Sequence, residues 1–229
     1  MSEASLPALL QLASASLPVG AYSYSQGLES AIAGGAVRNE RDLLDWLATV
    51  LEHGVASWDA TWVTALLHAH RQRARREVVE LNDSFLASRE TSELRAETVQ
   101  TGRSLLALVR ETDRAAIALL DVLTKLDAGD GLAYPTVWCA VAVARGLEDG
   151  PAAVAYLWSW LENAVLAAMK TLPLGQRAGQ RLLMELGGRL PALSAAAAVR
   201  PIEQCCNFLP GLALASMAHE TQYTRLFRS

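Results

Sequence analysis

No glycine–lysine pair occurs anywhere in these 229 residues, which removes the loop whose backbone amides cradle phosphates beside a lysine. The G-x-S-x-G turn that presents a nucleophilic serine is also missing. HETQY, residues 219–223, begins like a zinc-binding H-E-x-x-H helix but has Tyr223 where the second histidine belongs. His68 and His70, two positions apart, fall on different sides of a helix rather than in one metal site. The sequence therefore reads as non-enzymatic.

Charge is sparse too. Charged residues make up 19% of the chain and the net charge is −4, which argues against a nucleic-acid binder, where a basic face is expected. Two uncharged runs, residues 131–144 and 204–218, are interrupted by proline and fall short of the roughly 20 residues that cross a bilayer. MSEASLPALLQLASAS is apolar and small-residue-rich like a signal peptide, but carries Glu3 in place of a basic leader. Three cysteines, Cys139, Cys205 and Cys206, form no disulfide framework. A cytoplasmic protein touching neither membrane nor nucleic acid is the expectation. One basic run, RQRARR at 71–76, stands out against residues 1–70 with their seven acids and two arginines; its simplest reading is a solvated helix end.

What the sequence has is helical periodicity. In DLLDWLATVLEHGV, Leu43, Leu47, Val50, Leu51 and Gly54 recur at three- and four-residue spacing behind Asn39, a plausible N-cap. Further helices are expected over about 60–75, 77–89, 91–109 and 114–125. Pro135 and Pro151 suit first helical turns, and Gly146 and Gly187–Gly188 suit stops. Residues 152–170 are apolar on almost every side and belong at a bundle centre. Alternating β patterns are absent. The fold expected is an all-α bundle of eight to ten helices forming one domain over 1–229, with a C-terminal tail at 218–229.

Two segments resist this bland reading. In LPVGAYSYSQGLES, residues 17–30, Ser23 and Gln26 match a capping box for a helix from Tyr24 to about Ala33, ended by Gly34–Gly35. The box leaves the two tyrosines unexplained; one of Tyr22 and Tyr24 should be buried and the other exposed. HETQYTRLFRS, the last eleven residues, carries Tyr223, Leu226 and Phe227 with Arg225 and Arg228, and Tyr and Arg are types enriched at binding hot spots. Either it folds back on its own body or a partner orders it. The polar stretch SRETSELRAETVQTGRSL at 88–105 reads as a surface helix with i, i+4 charge pairs, with Leu94, Thr98, Thr101 and Leu105 facing inward.

LPVGAYSYSQGLE, SRETSELRAETVQTGRSL, KTLPLGQRAGQRLL at 170–183 and HETQYTRLFRS occur in that order and together resemble the UreF family of urease accessory proteins, end to end. Ala21 stands where many relatives have a second glycine, so no positive φ is required there. The resemblance implies an all-helical, non-enzymatic maturation factor. It would bridge UreD (also called UreH) and the GTPase UreG on apo-urease and promote nickel insertion, as a homodimer within the complex. The wider assembly would handle the nickel, and no cofactor would be held tightly. Residue by residue, His219, Glu220, Gln222, Tyr223, Arg225, Leu226, Phe227 and Arg228 look like the segment ordered against UreD. Tyr22, Tyr24, Gln26 and Glu29 look like surface near the subunit or GTPase contact, and Lys170, Gln176 and Gln180 fall in the remaining block. Two alternatives stand beside this: modulation of the partner's GTP hydrolysis, through a residue such as Lys170, and direct nickel carriage by His219 with Cys205 and Cys206.

Overall fold

The computed structural model describes residues 5–125 and 131–229. The leader argument, which leaned on Glu3, lies outside the described residues. Those residues contain no strand and form twelve α-helices: α1 (Leu6–Ala13), α2 (Leu28–Ala33), α3 (Glu40–Val50), α4 (Ala60–Arg71), α5 (Arg75–Ala87), α6 (Ser92–Thr112), α7 (Arg114–Lys125), α8 (Tyr134–Ala144), α9 (Asp149–Thr171), α10 (Gln176–Gly187), α11 (Leu190–Ala198) and α12 (Pro210–Glu220). The excess over eight to ten comes from short elements such as α2 and α11, too brief for periodicity to count.

Several boundaries follow local chemistry. Asn39 caps α3, its side-chain oxygen accepting from Arg41 N at 2.9 Å and Asp42 N at 3.0 Å. Pro135 sits in the first turn of α8, Gly146 (φ +68°) follows its end, and Gly34 closes α2. Two boundaries differ from expectation. A π-helical stretch, Leu51–Asp59, joins α3 to α4 in one continuous rod. The basic run breaks that rod's far end, because Arg73 takes a left-handed φ of +53° between α4 and α5.

Two helices lie inside. α8 runs between α4 and α6 and is buried from Pro135 through Ala142. α9 packs on α1, α4, α10 and α11. Its Ala152, Ala153, Ala155 and Tyr156 join a core built from α4 to α8, while Leu157, Leu161, Val165 and Ala168 join a second core with α3, α10 and α11. At about 1.5–3 kcal/mol for each large side chain buried, α9 ties the two halves together. By length and composition α9 could cross a membrane, yet 56% of its apolar window is buried within the bundle, as suits a core helix. Trp138 is fully buried and meets Tyr156 edge-on, with centroids 5.5 Å apart.

Candidate functional site

The opening motif, the N-terminal half of α6 and the C-terminal tail meet on one face. α2 does not begin with the expected capping box. Ala21–Ser23 form a 3₁₀ turn after Gly20 (φ +78°), so the positive φ falls on Gly20 and not on Ala21. Gln26 itself adopts φ +52° and Gly27 +79°, and the helix starts at Leu28. Ser25 supplies the side-chain contact instead: its Oγ accepts from Glu29 N at 3.3 Å. Gly27 is pressed onto α12, where a Cβ would stand 2.9 Å from Ser216 N. Only glycine fits both that φ and that approach.

Gln26, freed from capping, reaches two other elements. Its amide donates to Glu97 Oε1 at 2.8 Å, and its oxygen accepts from Trp160 Nε1 at 2.7 Å. Tyr24 is buried and Tyr22 is 61% exposed, so one ring closes the core while the other faces out.

The tail continues past α12 and is seated by the chain's own groups. His219 is completely buried, with Nδ1 2.7 Å from Glu93 Oε2 and Nε2 3.3 Å from Glu29 Oε2; a neutral ring donates to only one of the two. Glu29 also accepts from Leu226 N at 2.7 Å and Phe227 N at 2.9 Å. Arg225 pairs with Glu93 at 2.7 Å. Glu220 caps α6 in trans, accepting from Ser92 N at 2.9 Å and Ser92 Oγ at 2.6 Å; the serine bond first, then burial-opposed amide contacts, holds its carboxyl below the ordinary range. Phe227 is buried, Arg228 N donates to Ser23 O at 2.8 Å, and Ser229 O accepts from Ser25 N and Oγ at 2.6 and 2.5 Å. Gln222 turns back to Thr224 O at 2.8 Å. Of the two readings of the tail, folding back on its own body holds for the inner half, which Glu29 of α2 and Ser92 and Glu93 of α6 seat. Its outer half stays free, with Tyr223 fully exposed and Leu226 61% exposed.

Lys170, at the end of α9, lies 5.5 Å from the rings of both Tyr22 and Phe227. Gln176 and Gln180 do not join this cluster; they are exposed on α10, whose Arg181 pairs with Glu40. Cys205 and Cys206 sit in the segment after α11, and among the described residues no three His, Cys, Asp or Glu side chains gather as a metal-holding group.

Behind the clasp lies a cavity of about 100 Å³, lined by Gln26, Asp59, Arg89, Glu97, Tyr134 and Tyr156 among others. Burial lifts the Glu97 carboxyl to about 7 despite hydrogen bonds from Gln26 and Ser229. Asp59 and Arg89 form a 3.1 Å ion pair, each side chain only 13% exposed, and burial raises the Asp59 carboxyl against the pull of Arg89. The Arg89 guanidinium also lies 4.1 Å over the Phe85 ring. Sequence reasoning took Arg89, Glu93 and Glu97 as surface charge pairs and passed over Asp59. The signal for the first three was the unusual polarity of residues 88–105.

The fold and the clasp define an all-helical bundle whose opening motif and tail are closed on each other by inward carboxylates. A UreF family model matches residues 37–187. The urease accessory protein UreF of Azoarcus sp. strain BH72 is 54% identical over 221 residues, covering 96% of this chain and 94% of that protein. Those of Dechloromonas aromatica strain RCB and Janthinobacterium sp. strain Marseille are 49% and 43% identical over 224 residues each, covering 98% and 97%, and 96% and 96%, of the two chains. The chain belongs to the UreF family of urease accessory proteins. The relatives span the opening motif and the tail, which the family model leaves out.

Proposed function

We propose that the protein is a non-catalytic adaptor in urease maturation, bridging UreD and the GTPase UreG on apo-urease while nickel is inserted. The observation that carries this reading is the convergence of three separate motifs on one face, with their apolar tips, Tyr22, Tyr223 and Leu226, turned outward. Large exposed side chains on a rigidly seated segment are pre-organised for docking, since little ordering entropy is left to lose. In this reading the tail's outer edge takes UreD, the surface around Tyr22 and Lys170 takes UreG or a second copy, and the protein works in the cytoplasm.

The test is capture of purified UreD and UreG by the full chain and by a Tyr223→Ala/Leu226→Ala variant. Both positions are exposed, so the clasp stays intact, whereas truncation before His219 would strip the buried carboxylates of their partners. Loss of UreD capture is expected, unchanged by a chelator. Wild-type capture by the variant would refute the assignment, and capture that requires nickel would promote the carrier reading. Modulation of GTP hydrolysis has one observation in its favour, the exposed cation of Lys170 beside Tyr22; unchanged UreG turnover with Lys170→Ala would dismiss it.

A further inference from the structure

The basic run RQRARR has no role in the clasp, and the fold gives it a defined setting. Three of its arginines, Arg71, Arg73 and Arg75, rim a groove of about 560 Å³ between α4, α5, α7 and α8. Arg71 is committed within the chain, pairing with Asp149 at 2.7 Å and donating to Leu147 O. Arg76 pairs with Glu80 at 2.8 Å. Arg73 and Arg75 line the groove, are exposed, and their guanidinium groups have no hydrogen-bond or ion-pair partner among the described residues. Arg73 is held at φ +53° by the turn, so the two guanidinium stems leave the backbone from a tight corner rather than a flexible loop. The N-terminus of α5 opens on the same corner without any side-chain cap, adding positive potential.

The floor is apolar and mostly small. Ala115, Ala118 and Leu119 form one stripe of α7 at i, i+3, i+4 spacing, facing Val143 and Ala144 at the end of α8. Small side chains let another helix approach closely. The one aromatic ring at the groove, the His70 imidazole, is buried and lies 3.1 Å from Thr136 O, so a nucleotide base or single-stranded nucleic acid would find no open face to stack on. In a chain with net charge −4, a concavity holding two unneutralised arginines above an alanine–leucine floor is complementary to a helix that is apolar on one stripe and acidic beside it.

We propose that this groove is a docking site for an acidic amphipathic helix of a partner protein, separate from the clasp face, with carboxylates on Arg73 and Arg75 and the apolar stripe on α7. The probe is a fluorescently labelled designed helix with a leucine–alanine stripe flanked by glutamates, titrated into the full-length protein and followed by anisotropy. Saturable binding is expected. Arg73→Glu/Arg75→Glu should weaken it about tenfold, as two exposed charge pairs would, and the same peptide with glutamine for glutamate should lose a similar factor. Ala118→Trp, which fills the floor without touching charge, should weaken it too and covers the case in which the double reversal misfolds. Failure of the peptide to bind, indifference to all three changes, or tighter arginine-dependent binding of a single-stranded oligonucleotide would each overturn the proposal. Tyr223→Ala/Leu226→Ala should leave peptide binding unchanged, which keeps this result separate from the adaptor assignment.

Discussion

Replacing Glu29 by alanine tests the clasp at its most connected point. The carboxylate is only 12% exposed, accepts from Leu226 N and Phe227 N, and lies 3.3 Å from His219 Nε2. These donors are not equivalent. Leu226 is exposed, so water replaces the lost acceptor at little cost. Phe227 is 5% exposed, so its donor is orphaned, at about 1–3 kcal/mol. The docked tail should therefore lose roughly 1–3 kcal/mol, and since about 1.4 kcal/mol is a factor of ten, its opening should become about five- to a hundredfold more frequent. The two hydrophobic cores contain no tail residue, so this is local opening and not global unfolding. Native-state hydrogen exchange reads it directly, as faster exchange of the Phe227 and Ser25 amides with protection in α8 and α9 unchanged. Glu29→Gln, which keeps one oxygen acceptor, should fall about midway. An increase below about threefold at Phe227 in the alanine variant would refute the argument that Glu29 holds the tail.

Two further perturbations probe the interior. Glu97 has its folded carboxyl raised to about 7 from an ordinary 4.5, so the folded state holds this proton more tightly than the unfolded one; its stabilising contribution is complete below about 4.5, fades as pH rises, and is gone above about 7. Denaturant titrations of wild type and Glu97→Gln should therefore diverge across that window, the variant gaining relative stability toward pH 8, and a difference constant with pH would refute the assignment. Arg89→Ala leaves the buried Asp59 carboxylate unpaired and removes the contact over Phe85, so about 3–5 kcal/mol of stability should be lost; Asp59→Asn added to it should restore part of that, and an additive double variant would show that the pair is not coupled.

How much of this could be read from the residues differs by element. The Asn39 cap, the proline-led α8, the glycine stops and the central placement of residues 152–170 depend on local chemistry, and the structure has each of them. The inward set Leu94, Thr98, Thr101 and Leu105 also follows from period alone, Leu94 only partly buried and the others fully. The clasp does not, because its bonds join positions such as Glu93 and His219, 126 residues apart. Helical period places Glu93 and Glu97 off the apolar stripe, which on a lone helix means water; here another segment of the chain occupies that side. Ser23 and Gln26 went astray for a related reason. Their spacing fits a capping box, but Gln26 gains more from Glu97 and Trp160, partners 71 and 134 positions away, and the helix start moves to Leu28 to allow it. Those long-range partners made three of the four motif blocks one site, while Gln176 and Gln180 in the fourth stayed apart.

The division of the tail into a seated inner half and a free outer half constrains how any partner can use it. A partner that pulled out Phe227 and His219 would have to break their contacts with Glu29 and Glu93, roughly 1–3 kcal/mol for the Phe227 amide alone, and its apparent affinity would fall about five- to a hundredfold through the scarcity of the open state. A partner that grips Tyr223 and Leu226 from outside meets no such cost, because these side chains already project from a backbone fixed at Leu226 N and Phe227 N. The energetics favour docking onto the closed clasp. It follows that Glu29→Ala should weaken a tail-directed partner even though Glu29 never touches it, by loosening the backbone that presents Leu226. Tyr223→Ala should weaken the same partner while leaving exchange at Phe227 at its wild-type rate. Finding the reverse, with Glu29→Ala strengthening capture, would mean that the partner takes the open tail and that the clasp competes with it.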